Sequence, residues 1–207
     1  MKRVQAHTRP LTSYEKSILE GQKVCKMRVI SGSARGRKLK EPASEKVRPS
    51  GDRVKESVFN IIQFDIEGRN VLDLFAGTGQ LGIEALSRGA GKAVFVDSGA
   101  EAIRLIKENL KICGFSDRAA VIPGDALRYL ENDDKFDLIF IDPPYDAGLA
   151  DKAIAKITEF DKLNKNGIII CETRADSVLP AVTPPYLMQK DYKYGSVKIT
   201  RYTRETR

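Results

Sequence analysis

From residue 70 onward, short apolar runs alternate with stretches in which apolar residues recur every three to four positions. The runs at 70–75, 93–97, 119–123, 137–141 and 166–171 are rich in Val, Ile, Leu and Phe, and each predicts a strand. The amphipathic stretches 80–88, 98–113, 125–132, 148–160 and 174–179 predict helices. Strict alternation of strand and helix implies a mostly parallel sheet with helices on both faces. The rhythm breaks near the C-terminus. Leu187 to Lys190 and Val197 to Tyr202 are separated by the Tyr194-Gly195 turn and no helix, so these strands pair antiparallel. The expected fold class is α/β: a Rossmann-like, mostly parallel sheet with an antiparallel C-terminal strand.

Before residue 70 the pattern is weaker. Met27-Arg28-Val29-Ile30-Ser31-Gly32 reads as a strand entering a turn, and Gly36-Arg37-Lys38-Leu39 returns from it, so 27–40 predicts a β-hairpin. Asp52 fits a helix N-cap, followed by Val54, Val58, Ile61 and Ile62 at helical spacing. Three zones result: a polar extension over 1–26 with a short helix near 14–19, a hairpin and link over 27–47, and the main domain over 48–207. Met27 is a natural working start for the folded part.

Composition narrows the class. A chain of 207 residues with 42% hydrophobic and 30% charged residues suits one substantial α/β domain. No apolar run reaches the ~18 residues of a membrane span, and the first 26 residues contain no apolar signal core. A cytoplasmic, membrane-free protein is expected. Cys25, Cys113 and Cys171 form no closely spaced pair and read as reduced thiols. His7 is the single histidine, which argues against histidine catalysis and histidine-rich metal sites. Neither Mg²⁺ nor Zn²⁺ ligand clusters are evident, so no metal is expected. Nothing in the pattern demands a dimer, and a monomer is expected.

Charge is unevenly placed. Of the net +7, residues 1–60 carry 15 Lys and Arg against 6 Asp and Glu, whereas the rest carry 20 against 22. A basic front on a near-neutral body is the footprint of a phosphate-backbone binder. Arg28, Arg35, Arg37, Lys38, Arg48, Arg53 and Lys55 are its candidates; Arg53 and Lys55 also fit solvated helix charges.

Two motifs carry the chemistry. In Asp73-Leu74-Phe75-Ala76-Gly77-Thr78-Gly79-Gln80-Leu81-Gly82, the glycines match G-x-G-x-x-G, and Asp97 follows 20 residues after Gly77. This spacing also satisfies a nicotinamide-dinucleotide site. Asp73 opposes that reading, because a carboxylate beside the loop repels a pyrophosphate and attracts the ammonium and sulfonium of S-adenosylmethionine. Asp97 can accept from ribose hydroxyls, and Asp125, equally a helix N-cap, from an adenine amine. The second motif, Asp142-Pro143-Pro144-Tyr145, closes the 137–141 strand with a carboxylate, rigid carbonyls and an aromatic face. Such a rim suits an aminated base, although a plain proline-rich turn has the same composition.

The glycine loop followed by Asp-Pro-Pro-Tyr resembles the class I S-adenosylmethionine-dependent amino-group methyltransferases. Adding Met27 to Gly32, Gly36-Arg37 and Arg48-Pro49 through Phe59-Asn60, residues 27–203 resemble the RsmD-type methyltransferases of bacterial 16S ribosomal RNA, which modify guanine N2. Ser50 stands where that family usually has threonine, and residues 1–26 match nothing in it. The resemblance implies that Asp73, Phe75, Ala76, Gly77, Thr78, Gly79, Asp97, Ser98, Asp125 and Ala126 bind S-adenosylmethionine. It also implies that Asp142, Pro143, Pro144 and Tyr145 perform the transfer on 16S rRNA of the small ribosomal subunit. The residues themselves leave open adenine N6 in DNA or RNA as the target.

Overall fold

The computed structural model describes residues 27–42, 51–144 and 148–205. Seven strands form one sheet: β1 (Asn70–Leu74), β2 (Lys92–Asp97), β3 (Ala119–Pro123), β4 (Phe136–Ile141), β5 (Leu163–Arg174), β6 (Tyr186–Tyr194) and β7 (Val197–Arg204). Their order is β3-β2-β1-β4-β5-β7-β6, with β1 to β5 parallel and β7 antiparallel to both neighbours. The helices are α1 (Gly51–Ile61), α2 (Gln80–Ser87), α3 (Ala100–Cys113), α4 (Ala126–Tyr129) and α5 (Leu149–Glu159).

Strand alternation sorts the apolar side chains onto two faces. Val71, Phe95, Phe140, Ile168 and Ile170 pack under α1, α2 and α3. Leu72, Leu74, Ile139, Ile141 and Ile169 pack under α4 and α5. The chain steps from β1 outward to β2 and β3, then returns to place β4 on the other side of β1. That reversal opens a crevice at the C-terminal strand ends, where open α/β sheets bind ligands.

The expected helix at 174–179 does not form. β5 stays in register with β7 as far as Arg174 opposite Val197, and the Ala175 N–H still bonds the Ser196 carbonyl. Sheet pairing thus consumes the first residues, and Pro180 follows too soon for a helix to nucleate. The expected helix at 125–132 shrinks to the four residues of α4.

The expected hairpin is present in reduced form. One antiparallel bridge joins Arg28 to Lys38, flanked by Val29 N–H to Arg37 O at 3.0 Å and Leu39 N–H to Met27 O at 2.9 Å. Val29, Ala34 and Leu39 enter the core beneath α1, α2 and α3. The buried Glu84 carboxylate of α2 accepts from the Ile30 and Ser31 N–H groups at 2.7 and 2.9 Å. Gly32 lies at φ +82° against the last turn of α2, where an added Cβ would sit 1.8 Å from the Ser87 carbonyl oxygen. The hairpin therefore lies along α2, with its turn at the helix C-terminus and its two ends toward the crevice.

Candidate active site

The glycine loop is shaped by what surrounds it. Phe75 leaves β1 at φ 59°, a left-handed conformation costly for a bulky residue, and the Ala76 N–H ties the loop to Val96 O at 3.1 Å. Gly82 must be glycine, since a Cβ there would lie 2.3 Å from the Phe95 ring. The missing side chain lets the Gly82 N–H reach the Asp73 carboxylate at 2.8 Å.

Asp73 is buried, and its carboxyl is pushed up to about 7. Burial is the main cause; the Gly82 N–H opposes it, and the Asp97 charge adds to it. Asp97 accepts from Gly77 N–H through one oxygen and from Gly99 N–H through the other, both at 2.8 Å. It thereby holds the glycine loop and the entry to α3 in one frame. Asp125 caps α4 through Arg128 N–H at 2.7 Å, so its capping role is realised.

These parts meet in one cleft of about 740 Å³. Asp73, Phe75, Ala76, Gly77, Thr78, Asp97, Ser98, Asp125 and Ala126 line it, together with Asp142, Pro143 and Pro144 from the end of β4. Gly79 stands just behind the wall as the left-handed residue that opens α2, at φ 76°. Tyr145 lies outside the described residues. Asp142 has its carboxyl raised well above the usual carboxylate range by desolvation first, then by the Glu172 and Asp73 charges. Cys171 beside it is buried, and its thiol is raised far from ionisation by burial, so it offers no nucleophile.

The cleft also contains residues that the sequence did not single out for the site. Glu172 from β5, Glu101 from α3, and Met27 and Pro42 from the two ends of the hairpin all line it. Thr78 donates its hydroxyl to the Met27 sulfur at 3.2 Å. Asn109 of α3, fully buried, donates to Thr78 O at 3.0 Å and Lys40 O at 3.1 Å and accepts from Lys40 N–H at 2.7 Å. The hairpin base and the glycine loop are thus tied together through one amide.

Among the described lining residues six are carboxylic acids and none is Lys or Arg. That donor set repels a pyrophosphate and suits a cationic group beside hydroxyls and an amine, which fits S-adenosylmethionine and not a nicotinamide dinucleotide.

The basic candidates separate. Arg28, Arg35, Arg37, Lys38 and Arg53 are exposed. Arg37 reaches the Ile112 carbonyl at the end of α3, which places it with the hairpin turn, roughly 10 Å of helix beyond Leu105 of the cleft. Lys55 departs from expectation. It is buried, and its Nζ donates to the Arg28 carbonyl at 2.6 Å, so it fastens α1 to the hairpin instead of facing an RNA. Arg48 lies outside the described residues. Within them no group of acids, cysteines and histidines is arranged to hold a metal, and no helix is long and apolar enough to cross a membrane.

Comparison with known proteins agrees with this architecture. The ribosomal RNA small subunit methyltransferase D of Haemophilus influenzae is 40% identical over 182 residues, covering 85% of this chain and 93% of that protein. Its namesake in Escherichia coli K12 is 32% identical, covering 86% of this chain and 90% of that protein. The solved structure of yhhF from Escherichia coli superposes with a TM-score of 0.79 at 30% identity, covering 88% of this chain and 99% of that one. The family model described as conserved hypothetical protein 95 matches residues 27–203, and the chain belongs to that family.

Proposed function

We propose that this chain is an S-adenosylmethionine-dependent methyltransferase acting on the exocyclic N2 of a guanine in 16S rRNA of the small ribosomal subunit. The observation that carries this reading is the single cleft in which Asp142-Pro143-Pro144 faces the glycine loop and the acids Asp73, Asp97 and Asp125. The names of the Haemophilus and Escherichia relatives support an rRNA substrate.

In this reading Asp97 and Ser98 hold the ribose hydroxyls of the cofactor, Asp125 and Ala126 its adenine, and Asp73 with the glycine loop its amino-acid end. Bound there, S-adenosylmethionine supplies an electrophilic methyl on a positively charged sulfur. Guanine N2 is a weak nucleophile because its lone pair is delocalised into the ring. The Asp142 carboxylate and the Pro143 carbonyl each accept one N2–H, favouring the pyramidal nitrogen and the positive charge that grows on it. The N2 proton then passes to the Asp142 carboxylate or to water. Desolvation, followed by the Glu172 and Asp73 charges, raises the affinity of Asp142 for a proton, which suits it to receive this one. Tyr145 is assigned the stacking face that holds the base plane. The base must leave its stack to enter, so a flipped or unpaired guanosine is the substrate, with Arg28, Lys38 and their neighbours on the flanking phosphates.

Nucleoside mass spectrometry of small-subunit RNA, treated with native enzyme or with Asp142→Ala, tests this reading. The expected result is N2-methylguanosine with the native enzyme only. An N6-methyladenosine product, or full activity in Asp142→Ala, would overturn it.

A further inference from the structure

Guanine and adenine both present an exocyclic amine, so Asp142-Pro143-Pro144 alone does not choose between them. The two bases differ at the neighbouring ring nitrogen. Guanine N1 carries a hydrogen and donates, whereas adenine N1 is a bare acceptor. A residue that chooses guanine must therefore offer an acceptor beside the one that receives the amine.

Strand register puts such an acceptor there. Ile141 of β4 pairs with Cys171 of β5, so Asp142 and Glu172 stand level, one residue further along adjacent parallel strands. Phe140 and Ile170, two residues back on each strand, enter the same core. By strand alternation, Asp142 and Glu172 project from that same face. Neighbouring strands run ~4.8 Å apart, a spacing that suits two acceptors meeting two adjacent donors on one base edge. Both acids line the cleft, and neither is a residue of the glycine loop that holds the cofactor.

We propose that Glu172 is the specificity-determining residue for guanine, its carboxylate accepting the N1–H while Asp142 accepts from the amine beside it. The proposal rests on the guanine-N2 reading and extends it. Adenine in the same pose turns the N1 lone pair toward a carboxylate, leaving two acceptors face to face with no proton between them. Sites built to bond a polar group reject an analogue lacking it by factors of about 10⁴ or more, because the donor that the site is arranged to receive is missing.

The test uses 2-aminopurine riboside, which keeps the C2 amine but has an unprotonated N1. Once nuclease fragments place the methylated guanosine, small-subunit RNA is ligated with guanosine or 2-aminopurine riboside at that position. Native enzyme should methylate guanosine on the order of 100-fold or more faster in kcat/KM. Glu172→Gln should lose most turnover on guanosine and gain on 2-aminopurine, because the glutamine amide can donate to a bare N1. Its calorimetric affinity for S-adenosylmethionine should fall far less than its turnover on guanosine, since five other acids line the cleft. Equal use of the two bases by the native enzyme would overturn the proposal, and that comparison holds whether or not the variant folds. An unchanged preference in Glu172→Gln would also overturn it, as would loss of cofactor binding in a folded variant. Failure of the native enzyme on guanosine itself would instead remove the guanine-N2 reading beneath it.

Discussion

Asp73 joins two tasks in one carboxyl: it receives the Gly82 N–H that shapes the loop, and it lines the cleft proposed to take the cationic end of the cofactor. Because burial raises its folded-state pKa to about 7, the folded protein holds this proton more tightly than the unfolded chain does. The associated stability is complete below the unfolded pKa near 4 and is lost as pH rises to about 7. Asp73→Asn keeps an acceptor for Gly82 and should flatten that slope, measured by urea unfolding between pH 4 and 8. Cofactor affinity should respond in the opposite direction, since a sulfonium and an ammonium favour the ionised acid. Titration calorimetry should show native binding strengthening as pH passes through about 7, and Asp73→Asn should show no such rise. Asp97 is expected to behave differently because its oxygens already organise Gly77 and Gly99. Asp97→Ala should weaken cofactor binding by roughly 1–3 kcal/mol, losing both the ribose bonds and the frame that places them. An unchanged Kd in that variant would remove Asp97 from the ribose site.

Between elements, Asn109 is the joint. Its amide connects α3 to the glycine loop at Thr78 and to the hairpin at Lys40, away from solvent. Asn109→Ala leaves the Thr78 carbonyl and the Lys40 backbone groups short of partners, so about 1–3 kcal/mol of stability should be lost in urea unfolding at unchanged m-value. A loss below about 0.5 kcal/mol would mean that water replaces the amide at little cost. Its spacing from Leu105, Ile106, Leu110 and Cys113 puts Asn109 on the apolar stripe of α3, but only the packed hairpin and the glycine loop give its amide three hydrogen bonds. The same division holds across the fold. The strand and helix rhythm after residue 70 was legible because continuous apolar runs record strands buried on both faces and helical spacing records helices buried on one. The glycine loop and its acids were legible because their chemistry depends on local spacing. The 174–179 segment misled because pairing with β7, 20 or more residues away in the chain, outcompeted local helical preference. Glu172 and Pro42 gave no signal, and Met27 signalled only the start of the hairpin, since their place in the cleft follows from register and docking. Lys55 misled for a similar reason: a lysine on an amphipathic helix reads as solvated until a second element covers it.

At the scale of the whole molecule, the described cleft and the hairpin beside it carry opposite charge. The cleft is lined by acids, whereas Arg28, Arg35, Arg37 and Lys38 stand exposed along the hairpin beside it. The hairpin runs from the cleft rim at Met27 and Pro42 to the far end of α2, so these cations descend one flank of the protein in a graded series. A phosphate backbone that delivers a flipped base into an acidic cleft needs such a flank, because the cleft itself repels it. The gradient predicts unequal effects. Reversing Arg28 and Lys38, which bridge each other part-way along the hairpin, should raise the RNA KM more than reversing Arg35 and Arg37 at the distant turn. Each reversal should make log KM less steep in log salt, by about one unit for every phosphate no longer neutralised, because fewer counterions are released on binding. Cofactor affinity should stay at the native value in both pairs, since no basic side chain is among the described residues of the cleft. Steady-state kinetics over a salt series, run with calorimetry on the same variants, separates the two quantities. A salt slope unchanged by either pair would place the RNA on another face and leave the hairpin with its packing role alone.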